Sequence, residues 1–123
     1  MEENIFRNVL KDEKYDMFKE NYNELTQICN NITEIIKGED NPGMVIMMQT
    51  FIPKRIETKA FVFENIKSYI DVCYKYDNQQ VVLNVRSYIV DLIILSNELR
   101  NAISLNDKSL IIKYNKLLSD KLN

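Results

Sequence analysis

Apolar residues recur along this chain with the spacing of an α-helix. Between residues 12 and 37 they alternate three and four positions apart, which places them on one side of a helix, whereas a strand needs every second residue. The stripe consists of Tyr15, Phe18, Tyr22, Leu25, Cys29, Ile32 and Ile36. The pattern predicts a helix over 12–37, with Asp12 as its N-cap and Gly38 just past its end in a left-handed conformation.

A second stripe with the same spacing predicts a helix over 78–104. Its members are Val85, Tyr88, Leu92, Leu95, Leu99 and Ala102. The two clean stripes predict that 12–37 and 78–104 pack along their length. On the back of 78–104, Leu83, Val90 and Ile94 line up on a side that a simple bundle leaves in water. Either another segment of this chain or a second subunit covers that side, and the pattern leaves both explanations open.

Two more helices are predicted at 54–76 and 107–122. The first is apolar over more than half of its circumference, so it contacts neighbours on two sides or a second protein. This apolar arc consists of Ile56, Phe61, Val62, Phe63, Ile66, Tyr69, Ile70, Val72, Cys73, Tyr74 and Tyr76. The second helix follows an Asn106-Asp107 break, in which Asp107 is a suitable N-cap. Short connections make the last three helices consecutive antiparallel neighbours.

The Met-rich segment 44–52 connects the first two long helices. It contains Met44, Met47, Met48 and Phe51 and is closed by Pro53. A loop is predicted before it at 38–43, where Gly-Glu-Asp-Asn-Pro-Gly breaks any regular structure. Asn41 as N-cap and Pro42 at the first helical position favour a short helix, and a buried strand is the alternative. Flexible Met side chains are typical of adaptable binding surfaces, and a core plug at the bundle end is the simpler interpretation.

The N-terminal segment is predicted as a short amphipathic turn, either a separate helix or a continuation into the next one. The turn is formed by Ile5, Phe6, Val9 and Leu10. With 123 residues and no long linker, the chain is expected to be a single domain over 1–123. The predicted fold is all-α, an elongated bundle of four main helices with the N-terminal turn and the Met-rich connection.

The charge balance argues against nucleic acid as the main partner. The formal net charge is −2, so the summed field does not attract phosphate groups. Lys54, Arg55 and Lys59 lie near Phe61, and this mixture of basic and aromatic residues keeps a nucleic-acid-binding regulator as an alternative hypothesis.

The residues that most enzymes and metal sites use are scarce. The chain has no histidine and two cysteines far apart, which removes the usual ligands of zinc and haem and the usual catalytic triads. Cys29 and Cys73 are expected to be buried thiols in the core. Glu20 and Glu24 lie one turn apart on the first long helix, so a metal-dependent hydrolase is a second alternative. No cofactor, metal or catalytic residue is predicted.

The leading hypothesis is a non-enzymatic protein–protein interaction module. Missing catalytic residues and surplus apolar surface on two helices both favour this function. The interface candidates are Met44, Met47, Met48, Phe51, Phe61, Leu83, Val90 and Ile94. The partner is a protein of unknown identity, with a homodimer as one form. An acidic N-terminus and the lack of a long apolar run predict a cytoplasmic protein with no membrane partner. The abundance of Ile, Asn and Lys is typical of low-GC genomes and phages.

Overall fold

The fold is all-α, as predicted. The computed structural model describes residues 3–38 and 42–123, and these ranges form helices and connecting turns with no β-strand. Two short helices add to the four that were predicted. The helices are α1 (Glu3–Val9), α2 (Asp12–Lys37), α3 (Pro42–Ile46), α4 (Ile52–Cys73), α5 (Gln80–Ser104) and α6 (Lys108–Leu122).

The four long helices form an antiparallel bundle. Helices α4 and α6 each pack against both α2 and α5, so α2 and α5 occupy opposite corners. An ion pair between Lys59 and Glu24 joins α4 to α2, and one of 2.8 Å between Lys121 and Asp91 joins α6 to α5. The expectation that 12–37 and 78–104 pack along their length was therefore wrong, because their stripes face each other across the core. The last three helices are consecutive neighbours, as predicted.

The buried side of α5 is wider than the stripe that the sequence predicts. Because α4 and α6 flank this helix on both sides, its buried arc is wide and includes positions outside the predicted stripe. Tyr88 and Leu95 are half-buried at the edge of the arc. The buried residues are Val82, Val85, Ile89, Leu92, Ile93, Ser96, Leu99, Ala102 and Ile103.

The Met-rich segment is helical and continues into α4 through a π-helical turn, Met47–Phe51. The Ile52 N–H donates to the carbonyl of Met47, five residues earlier, where an α-helix bonds four residues back. Pro53 explains this turn. A proline lacks the N–H of the helical bond, and its ring clashes with the carbonyl four residues earlier, so the widened turn relieves the clash. The helix choice for 44–52 is confirmed, but the break predicted at Pro53 is wrong.

Helix α1 is separate from α2 and closes one end of the bundle. The ring of Phe6 stacks on Phe18 at 4.9 Å between centroids and meets the edge of Tyr88 at 5.3 Å. The hydroxyl of Tyr74 donates to the carbonyl of Val9 at 2.5 Å. These contacts fix the chain at the end of α4. The helix ends at Cys73, three residues before the end predicted at residue 76.

The helix ends agree with the prediction at one cap and differ at two. Asp107 is the N-cap of α6, and its side chain accepts from the Leu110 N–H at 3.1 Å. Lys11 occupies the N-cap position of α2, and Asp12 begins the helix instead. Gly38 follows α2 with an extended backbone, φ −74°, and not the left-handed one expected. The predicted N-cap Asn41 and loop residues 39–41 lie outside the described residues.

Ser96 provides a test of the core. This residue is 0% exposed, and its hydroxyl has no hydrogen-bond partner among the described residues. A buried hydroxyl without a partner is destabilising, so Ser96→Ala is expected to raise the free energy of unfolding by about 1 kcal/mol in urea denaturation. Ser109→Ala, on the exposed side of α6, is the control and should change stability little. A Ser96→Ala protein less stable than the wild type would contradict the packing described here.

Candidate protein-binding face

The outward side of α2 is acidic. From Glu13 to Glu34 the exposed residues on this side recur every three or four positions and include four carboxylates, and Lys37 is exposed at the end of the helix. The recurring residues are Glu13, Asp16, Glu20, Asn23, Gln27, Asn31 and Glu34. Such a strip is well hydrated and is an ordinary solvent face.

The outward sides of α4 and α5 each carry a strip of apolar and uncharged polar residues, and Lys54, Glu57, Glu64 and Glu98 are exposed next to these strips. On α4 this strip consists of Thr58, Phe61, Asn65, Ser68 and Val72, and on α5 of Leu83, Ser87, Val90, Ile94, Asn97 and Asn101. Because α4 and α5 are neighbours, the two strips form one surface, which we call the α4–α5 face. Helix α2, which lies across the core from α5, carries the acidic strip.

Large apolar side chains on the α4–α5 face are in contact with solvent. Phe61 is 62% exposed, Val72 76%, Leu83 45% and Ile94 52%. Val90 is half-buried beside them. Of the two covers considered for the back of α5, no segment of the described chain buries Leu83 or Ile94. The sequence pattern did not single out Val72, although the wide apolar arc of its helix was the signal that could have found it.

Charged residues at the junction of α4 and α5 are bound to one another. Arg86 Nε lies 2.6 Å from Asp71, and Lys67 Nζ lies 3.0 Å from the same carboxylate. The hydrogen bond from Arg86 is the main reason that the pKa of Asp71 is below its ordinary value. Arg100 lies 3.5 Å from Glu57 nearer the other end. These ion pairs are in contact with water, because between 33% and 65% of each side chain is exposed.

A groove lies next to Phe61 at this junction. Its volume is about 490 Å³, and its walls come from both helices. The lining residues, four of which are charged, are Lys54, Glu57, Thr58, Ala60, Phe61, Glu64, Asn97 and Arg100. The groove gives the face the concave relief that a protruding side chain of another protein can fill.

The Met-rich segment is divided between core and solvent. Met48 is 7% exposed and belongs to the core, whereas Met44 and Met47 are 40% and 38% exposed. Phe51 is 57% exposed. A pocket of about 150 Å³ separates this segment from Ile36 and Ile111 at the bundle end. The core-plug interpretation therefore holds for Met48 alone, and the other three residues remain interface candidates.

The basic residues proposed for nucleic acid do not form one patch. Lys54 is exposed, while Arg55 and Lys59 are half-buried. Lys59 pairs with Glu24 across the α2–α4 contact. Lys54 and Lys59 are five residues apart, so they point about 140° from each other around the helix. Lys54 therefore lies on a different side of the helix from Lys59.

The acidic residues of α2 are spread along its surface. Glu24 is paired with Lys59, and Glu20 lies one turn away on the exposed side. Within 3–38 and 42–123, no three residues of the metal-binding types come together in a group that could hold a metal ion. In the same ranges, no helix is both long and apolar enough to cross a membrane.

The two thiols have different environments. Cys29 is buried as expected, and burial raises the pKa of its thiol to about 11, against a smaller opposite effect of Ser119. Cys73 is exposed, so its predicted burial was wrong. Because α4 ends at Cys73, that residue lies beyond the part of the helix that other helices cover.

Comparisons of the chain with protein-family models, curated proteins and solved structures find no match. The case for function therefore depends on the α4–α5 face and its surroundings.

Thiol reactivity tests this description of the cysteines. A disulfide reagent at neutral pH should modify one thiol per native chain rapidly, and the second only after unfolding, because a buried thiol with a raised pKa is a poor nucleophile. Cys73→Ser should abolish the rapid reaction. Rapid reaction of that variant would show that Cys29 is accessible and would contradict the α2 packing.

Proposed function

We propose that this protein is a protein–protein interaction module that binds its partner through the α4–α5 face. The observation that carries the proposal is that Phe61 and Val72 on α4 and Leu83 and Ile94 on α5 are exposed on two neighbouring helices. Large apolar side chains in water cost free energy, and burying one such side chain recovers about 1.5–3 kcal/mol. Four exposed apolar residues on one face are enough to support a specific complex.

The composition of the face fits a protein better than a small ligand. Interfaces between proteins are depleted of charge in the middle and enriched in aromatic residues, with charged residues at the rim. Phe61 takes the aromatic position, and its groove provides space beside it. The bound pairs Asp71–Arg86 and Glu57–Arg100 lie between the two strips, where each charge already has a partner of opposite sign.

The finer parts of the hypothesis belong to the same proposal. We expect the module to act without catalysis, in the cytoplasm, as an elongated bundle with four main helices. The surface supports a regulator, inhibitor, chaperone or assembly partner equally well, because each of these needs one apolar face on a stable scaffold. A nucleic-acid regulator has less support, since Lys59 is bound to Glu24.

A photo-crosslinking amino acid tests the binding face. With benzoylphenylalanine in place of Phe61, a protein adduct is expected in the cells that make this protein, since the 62%-exposed side chain points at the partner. The matched control is the same substitution at Gln27, exposed on the acidic strip of α2. Adding Ile94→Lys should reduce the adduct by about tenfold or more, as expected for loss of an interface anchor. Equal adducts at positions 61 and 27 would contradict the proposal.

A further inference from the structure

We infer that the partner on the α4–α5 face is a second copy of this chain, related to the first by a two-fold axis parallel to the helices. This inference rests on the proposed function and assigns the occupant of the face. Its basis is that the exposed apolar residues of α4 and α5 lie at matching heights along the bundle.

The two interhelix ion pairs set the relative height of α4 and α5. Asp71 faces Arg86, and Glu57 faces Arg100, so both pairs mark levels at which the two helices meet. The separation along α4 equals that along α5, which is fourteen residues in each helix. The two helices therefore keep one register over this length, with about 1.5 Å of rise per residue.

Exposed apolar residues of α4 and α5 form rows, each with one residue from either helix at about the same height along the bundle. Phe61 lies ten residues before Asp71, and Ile94 lies eight residues after Arg86, so their heights differ by about 3 Å. Val72 lies one residue after Asp71, and Leu83 three residues before Arg86, which again gives about 3 Å. The first row is thus Phe61 with Ile94, and the second is Val72 with Leu83.

A third pair of apolar residues extends the pattern at the end of the bundle. Phe51 is 57% exposed and Leu105 is 71% exposed. Phe51 lies six residues before Glu57, and Leu105 lies five residues after Arg100. The two residues are therefore at similar heights along the bundle. On α4, α5 and their extensions, the exposed apolar residues of one helix are thus matched by those of the other.

A two-fold axis parallel to the helices brings each row against its own copy. Such an axis leaves height unchanged and exchanges the two helices, so α4 of one copy packs on α5 of the other. Phe61 then meets Ile94 of the second copy, and Val72 meets Leu83 of the second copy. Interfaces of this kind use the same patch twice, so every apolar contact is formed in duplicate.

The charges are complementary across this axis. With the parallel axis, each ion pair faces the same ion pair of the second copy, rotated by 180°. Arg86 then faces Asp71 of the second copy, and Arg100 faces Glu57 of the second copy, which is an alternating arrangement of opposite charges. The acidic strip of α2, in contrast, would repel its own copy.

The size of the face is sufficient for a dimer. From Leu83 to Leu105 it is about 33 Å long, and two helices side by side are about 20 Å wide. The flat footprint is therefore about 660 Å² per copy, close to the roughly 800 Å² that each partner of a standard interface buries.

Mass in solution gives the first test. Sedimentation equilibrium of the full chain at about 100 µM should give twice the 14.6 kDa of one chain. Ile94→Lys should give a folded monomer with unchanged helical circular dichroism, because Ile94 is 52% exposed and makes little contribution to the core. Ile112→Lys is the matched control, on the exposed side of α6, and should remain a dimer. A wild-type chain that stays monomeric at this concentration overturns the inference.

Crosslinking between two different single-cysteine chains tests the register. Both chains carry Cys73→Ser, and the buried Cys29 remains. A short bis-maleimide should join Phe61→Cys to Ile94→Cys, and Val72→Cys to Leu83→Cys, when the two chains are mixed. The off-register mixture of Phe61→Cys with Leu83→Cys, displaced by about 16 Å along α5, should give no dimer.

The outcomes separate this inference from the proposed function. Efficient joining of Phe61→Cys to itself would show a perpendicular axis and overturn the assignment made here. If the photo-crosslinker at position 61 captures a different protein while the purified chain is monomeric, the face binds a partner that is not a second copy. If position 61 forms no adduct in cells and the chain is monomeric, both the inference and the proposed function fail.

Discussion

Burial of α5 between α4 and α6 constrains the rest of this molecule. Both flanks of α5 face neighbours and its inner side faces the core, so a single outward strip is left to solvent. The same holds for α4, whose inner side supplies Phe63 and Ile66 to the core. Once Asp71–Arg86 and Glu57–Arg100 fix the register of the two helices, the positions of their outward residues follow. The α4–α5 face is thus a consequence of how the core is packed.

The sequence predicted the fold class well because helical periodicity is a local property that survives without knowledge of the neighbours. Long stripes placed α2 and α5 within two residues of their observed ends. Side-chain burial was harder to predict, since it depends on which helices become neighbours. Cys73 has the same apolar character as the core residues before it, but α4 ends there and leaves it exposed. Pro53 was read as a stop because local rules do not foresee the π-helical turn that accommodates it.

The sequence predicted the α5 side of the candidate site but not its alignment with α4. Leu83, Val90 and Ile94 could be recognised as surplus because they lie opposite a complete stripe. Their alignment with Phe61 and Val72 could not be recognised, since it depends on the relative height of two helices. That height is fixed by contacts between α4 and α5, which no periodicity within one helix contains. Lys54, Arg55 and Lys59 are close in sequence, yet they do not all lie on one side of the helix.

Solvent access of individual methyl groups tests the central claim most directly. In methyl NMR spectra with a soluble paramagnetic agent, the account predicts that Val72, Leu83 and Ile94 become protected as protein concentration rises. Ile112 and Leu117 of α6 are 46% and 43% exposed in one chain, similar to Leu83, and should remain accessible throughout. Equal broadening of both groups at every concentration, or protection of the α6 methyl groups instead, would contradict the assignment of a second copy of this chain to the α4–α5 face.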